Sequence, residues 1–253
     1  MNVQRQILLL PIFFLSLFYL QAQTTRIILR PVIKPVSFQK KFDESITLVD
    51  KNGQPFKREA DNDDIQGSPY FIDGFRYANI TLSQGVFYEN IKVKIDLCHQ
   101  EAHVITDDQK EMIVKDGLIS EIVLVDSANG KLGFYKFQTG FPAIDKNSGY
   151  NFYEVLSDGD IKLLKFIKKE IVETKDIMSG EVKKDFVQYE EYYTFHDSVI
   201  SKLKKDKDFI LDLMKDEEQK MTEYLKGKKM NYKNVGILTD LFDYYNSVKP
   251  RPF

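Results

Sequence analysis

Tryptophan is absent from this 253-residue chain, cysteine occurs once and histidine three times. One cysteine forms no internal disulfide, and it excludes every cysteine-rich zinc site. With only 13 Gly and 8 Pro, the collagen-like and low-complexity classes are excluded as well. Excess charge of one sign is also missing. Against 36 Lys plus Arg stand 38 Asp plus Glu, a formal net charge of -2, which argues against a surface built to coat nucleic acid or anionic lipid. The chain lacks the phosphate-cradling Gly-x-x-x-x-Gly-Lys, a strand-following Gly-x-Gly-x-x-Gly and the Gly-x-Ser-x-Gly nucleophile elbow. It therefore announces no catalytic chemistry and calls for no cofactor. What it has is 43% hydrophobic residues, including 19 Phe and 14 Tyr, with 29% charged: an ordinary folding chain, too apolar for intrinsic disorder.

The first 23 residues read as an address. Arg5 precedes an apolar run over residues 7–20, and the short polar stretch Gln21-Ala22-Gln23 follows. These are the three regions of a secretory signal peptide, with cleavage expected near Ala22 or Gln23. As a helix the run would rise only about 21 Å, short of the roughly 30 Å hydrocarbon core, and Pro11 weakens it further. A cleaved leader is the expectation, an uncleaved anchor the alternative. The mature chain carries no other run of spanning length.

Residues 24–66 form an irregular lead-in with Pro31, Pro35 and Pro55, the apolar run Ile46-Thr47-Leu48-Val49 and a turn signal at Asp50-Lys51-Asn52-Gly53, room for one hairpin. Over residues 67–203 the period becomes two. In the run over residues 87–97, Ile91, Val93, Ile95 and Leu97 share one face, with Lys92, Lys94 and Asp96 on the other, the mark of one buried and one wet face. Further runs cover residues 75–82, 102–106, 111–114, 119–125, 132–138, 150–156, 161–172, 186–195 and 199–203. Asp158-Gly159 and His196-Asp197-Ser198 are read as hairpin turns. The short gaps favour antiparallel neighbours, because parallel crossovers need a dozen or more residues. Over residues 204–248 the period changes to helical. Asp206, Asp216 and Asn234 are candidate N-caps for three amphipathic helices carrying Phe209 and Ile210, Met221 and Tyr224, and Leu238, Leu241 and Tyr245. Residues 249–253 form a proline-bearing tail. The expected fold is α+β: an antiparallel meander, sandwich or open barrel, then a C-terminal cap of about three short helices.

Gly67-Ser68-Pro69-Tyr70-Phe71, Tyr88-Glu89-Asn90-Ile91, Phe152-Tyr153-Glu154-Val155-Leu156 with Asp158-Gly159, and Leu241-Phe242-Asp243-Tyr244-Tyr245-Asn246 together resemble a group of uncharacterised exported proteins of Bacteroidota. The resemblance spans residues 67–246. It implies a location in the periplasm, outer envelope or medium, and a turn between strands at residues 98–101. It brings no activity with it.

His99-Gln100-Glu101-Ala102-His103 is the densest chemistry in the chain. If extended, His99, Glu101 and His103 share one face, and two imidazoles with a carboxylate suit zinc or another divalent cation. The spacing differs from the helical zinc-protease pattern, which wants Glu second; the plainer account is a polar hairpin end with solvated histidines. Cys98 is either a thiol nucleophile or, more ordinarily, a small half-buried hydrophobe. His196-Asp197-Ser198 holds the residue types of a hydrolase triad, yet triads converge from separate segments and adjacent turn residues do not. Asp145-Lys146-Asn147-Ser148-Gly149 begins like a calcium loop but has Tyr150 and Leu156 where Gly and Glu belong. Asp61, Asp63 and Asp64 read as an acidic linker. Of Tyr192-Tyr193 and Tyr244-Tyr245, one member of each pair is expected to pack inward. The sequence thus points to a non-catalytic exported binding module whose partner is a protein or small ligand of the envelope. A carboxylate- or metal-dependent hydrolase and a structural envelope component are the alternatives.

Overall fold

Period-two alternation with turn residues between the runs produces eleven strands among the described residues, where all but one strand pairing is antiparallel. The computed structural model describes residues 41–56, 65–127, 132–175, 177–178 and 180–249, all within one compact unit, Phe38–Phe253. The leader expected at residues 1–23, most of the lead-in and the tail from residue 250 lie outside the described residues.

The strands are β1 (Ile65–Gln66), β2 (Arg76–Leu82), β3 (Phe87–Asp96), β4 (Glu101–Ile105), β5 (Glu111–Ile113), β6 (Ile119–Asp126), β7 (Gly133–Gln138), β8 (Tyr153–Ser157), β9 (Lys162–Lys175), β10 (Val182–His196) and β11 (Val199–Lys202). They make one open sheet in the order β1-β10-β9-β8-β7-β6-β2-β3-β4-β5, with β11 also on β10. The exception to antiparallel pairing is β1, which lies parallel to β10 with Ile65 opposite Lys184. Two residues joined to the sheet by a parallel pairing leave no period to read. The lead-in forms the small hairpin its turn residues foretell: Val49 bridges Pro55, and the Asp50 N–H donates to Gln54 O at 2.7 Å.

The sheet curls until the β3–β4 turn meets β9, where the Lys169 N–H donates to Leu97 O at 3.2 Å. A twisted sheet of this width must roll up to bury an inner face. That face holds Ile80, Val93, Ile95, Val104, Ile122 and Phe137, each essentially inaccessible, with Phe152, just before β8, and Ile167 of β9 packed against them. A second cluster around Tyr153, Leu164, Phe166 and Tyr193 covers the other side of β8 to β10.

Three helices, α1 (Lys207–Leu213), α2 (Glu218–Leu225) and α3 (Val235–Val248), close the chain. Asp206 and Asn234 cap α1 and α3, accepting from the N–H groups of Phe209 and Ile237. The middle cap falls elsewhere: a 3-10 turn at Lys215–Glu217 leads into α2, and Asp216 accepts the Tyr245 hydroxyl at 3.0 Å instead. Ile210, Met214, Met221, Leu238, Leu241 and Phe242 bury Ile161 and Leu163, so the helices cap the sheet through a shared core.

Candidate functional site

Residues 97–100 form the turn that joins β3 to β4, and Asp96 organises it. Its Oδ1 accepts the N–H groups of Cys98 at 2.7 Å and His99 at 2.9 Å, while Oδ2 lies 2.9 Å from His99 Nδ1. Gln100 adopts φ 58°, the left-handed conformation that reverses the chain. The turn takes His99 out of the strand alternation, so it does not share a face with Glu101 and His103 as extended geometry would require. Its place is taken by Asp96. Ladder pairing sets Asp96 opposite Glu101 and Lys94 opposite His103, and directly opposed residues of an antiparallel pair project from one face.

The sequence pattern makes that face wet, and Lys92 is exposed; at the turn end it is dry, with Asp96, Glu101 and His103 only 4%, 5% and 7% exposed. Residues 69–71 run beside the end of β3, with Tyr70 bridging Asp96, and the Tyr70 ring covers the polar face, 5.7 Å from the His103 ring and 4.0 Å from Lys94 Nζ. Lys169 reaches from β9 to hold this cover, donating to Ser68 O at 2.9 Å and Tyr70 O at 2.6 Å. Burial pushes the Lys169 pKa below its ordinary value despite the opposing pull of Asp73 and Asp96.

One side of the His103 ring is anchored. Nδ1 lies 2.7 Å from Glu111 Oε1, which Lys94 Nζ also approaches at 3.0 Å. Burial raises the Glu111 pKa, but His103 and Lys94 outweigh it and hold the carboxyl below its ordinary value. Glu111 is then an acceptor, and the Nδ1 proton points at it. The other side of the ring is different. Nε2 is buried with no hydrogen-bond partner and sits 3.9 Å from Glu101 Oε2. Ligand atoms of Asp96, Glu101 and His103 all lie within 4.8 Å of one another. Glu101 also lines a cavity of about 10 Å³, room for a single water.

The remaining candidates are dispersed. Cys98 is half-buried within the turn. Asp197 and Ser198 have φ values of 49° and 63°, the two positive angles of a tight hairpin turn between β10 and β11. His196 bonds Asp160 O at 3.0 Å, so these three residues build a turn. Asp145 accepts the Tyr193 hydroxyl at 3.2 Å. Asp61, Asp63 and Asp64 lie outside the described residues. Tyr193 and Tyr245 pack inward, and Tyr192 and Tyr244 are half-buried, with Tyr244 stacked on Tyr224 at 4.0 Å. Asp96, Glu111, Tyr70 and Gln100 escaped the sequence reading. The signal for Asp96 was available, since a four-residue turn after Asp96 sets it opposite Glu101. Glu111 and Tyr70 become neighbours only through strand pairing.

A second feature is geometric. Strands β9 and β10 are 14 and 15 residues long, yet on β9 burial stops at Ile167, and residues 170–175 and 182–188 include none that is buried. Beyond the ladder, Ile177 and Met178 are 99% and 98% exposed. No helix among the described residues is long and apolar enough to cross a membrane. No protein-family model, curated protein or solved structure matches the chain.

Proposed function

We propose that this chain is an exported, non-catalytic binding protein of the cell envelope or medium, engaging a protein partner through the outer half of the β9–β10 hairpin. The observation that carries the reading is the pair Ile177 and Met178, apolar and almost fully exposed at the end of an arm with no buried residue among those described. Apolar side chains offered at the end of a hairpin are what a protein partner buries. Export rests on the pattern of residues 1–23, and the resemblance to exported proteins of Bacteroidota agrees with it. The hydrolase alternative finds little support at the Asp96 cluster, where the nearby cavity takes one water and Tyr70 covers the face.

The test immobilises the full chain and the double variant Ile177→Ser, Met178→Ser and exposes both to envelope extract. A partner retained by the wild type and lost by the variant supports the arm. The same proteins on both, or none on either, overturns it. N-terminal sequencing of protein recovered outside the cytoplasm should begin near residue 23; a start at Met1 removes export.

A further inference from the structure

We infer that Asp96, Glu101 and His103 hold one divalent cation of the zinc class, and that this cation locks the β3–β4 turn. Three buried groups converge there, and two of them are carboxylates. Two carboxylates and an imidazole within reach of one another are a donor set that a divalent cation suits, and the ammonium of Lys94 is directed at Glu111 and the Tyr70 ring.

The decisive group is His103. Its ring is nine-tenths buried, its Nδ1 is committed to Glu111, and its Nε2 is aimed toward Glu101 with no hydrogen-bond partner. A carboxylate behind one ring nitrogen fixes the tautomer and leaves the other nitrogen with a lone pair, which is how a histidine is prepared for a metal. His103 Nε2 and Glu101 Oε2 stand 3.9 Å apart, wider than a hydrogen bond, which leaves space for a cation to bind both. Tetrahedral zinc sets its donors about 3.3 Å apart, so small side-chain rotations close the shell. One imidazole and two carboxylates favour zinc over calcium or magnesium, which take oxygen donors alone. Asp96 keeps lone pairs beyond those used by the turn, and His99 orients it from behind, as Glu111 does for His103. His99 is therefore a positioning residue here and not a ligand.

The full chain, stripped with chelator, should take up one equivalent of zinc by calorimetry and melt at a higher temperature with it. Saturable binding should disappear in His103→Ala and in the isosteric Glu101→Gln. His99→Ala and Glu111→Gln should keep one-to-one binding, weakened about tenfold, as loss of a supporting partner does. X-ray absorption of the zinc form should show one imidazole nitrogen and oxygen donors. Absence of saturable binding by the wild type overturns the inference, as do undiminished binding by Glu101→Gln, a second imidazole, or a sulfur ligand from Cys98. None of these readouts involves Ile177 or Met178, so the cation and the arm stand or fall separately.

Discussion

The side-chain amide of Gln100 donates to Ile167 O at 3.0 Å across a separation of 67 positions. The same nitrogen reaches Leu97 O at 3.0 Å, and the Gln100 carbonyl accepts the Phe152 N–H at 3.1 Å. One side chain thus ties the β3–β4 turn to β9 and to the residue before β8, where the sheet curls onto itself.

Gln100→Ala should therefore destabilise the fold by about 1–3 kcal/mol, because it leaves the Phe152 N–H and the Ile167 carbonyl short of a partner. Urea unfolding reads the cost directly. A loss under about 0.5 kcal/mol would mean that water replaces the amide.

The helical cap is held by a comparable stitch. Asn246 on α3 accepts the Ile161 N–H at 3.1 Å and donates to Ile161 O at 2.9 Å and Ser157 Oγ at 3.1 Å. Gly159 lies beneath it, and a Cβ there would stand 2.4 Å from Asn246 Cγ. The glycine is needed for this close approach. Asp158-Gly159 does lie in the turn between the antiparallel strands β8 and β9, as read from the sequence, but the φ of Gly159 is not among the positive values. Gly159→Ala should cost about 1–3 kcal/mol by forcing Asn246 aside. The double variant with Asn246→Ala should cost less than the sum of the two single changes, the sign of a shared contact in a double-mutant cycle.

Acid should weaken the β7–β9 surface through Asp158. Burial raises the pKa of its carboxyl, but Lys136, 2.7 Å away, and Lys162, its other ion-pair partner, outweigh burial and hold it below the ordinary 3.8. A carboxyl depressed in the folded state binds protons more readily when unfolded. Its stabilisation is present above that ordinary value and is lost as pH falls through the folded one. Between about pH 4 and pH 2, unfolding free energy should fall more steeply for the wild type than for Asp158→Asn. Parallel curves would show that solvent screens the group completely.

Local patterns were legible. Val93, Ile95 and Leu97 face inward as period two requires, and Asp206 and Asn234 cap helices where a polar residue precedes an apolar stripe. What escaped depends on separated segments meeting. Asp96 sits on the face opposite Ile95, and alternation alone calls it wet; Tyr70, arriving from residues 69–71, makes it dry. His99, Glu101 and His103 fit one face only while the chain stays extended, and the turn capped by Asp96 removes His99. Asp216 had the chemistry of a cap, but Tyr245 and Lys249 claim its carboxylate.

Along β9, Ile167 and Ile171 lie four residues apart on one face, yet the first is 1% exposed and the second 37%. The boundary between body and arm falls between them. Ile167→Ala should cost about 2–5 kcal/mol, as deletions from a packed core do, and Ile171→Ala about 0.5 kcal/mol. Backbone amides beyond the boundary are held by the β9–β10 ladder, with Phe186 opposite Ile171 and Lys184 opposite Glu173, and by the two-residue β1 pairing at Lys184 and Asp185, with no buried residue beneath. They should exchange with solvent by local opening, at least about tenfold faster than the amides of Leu164 and Phe166, which wait for global unfolding. Equal protection on both sides of Lys169, measured by hydrogen exchange on the full chain, would mean that the arm unfolds only with the body.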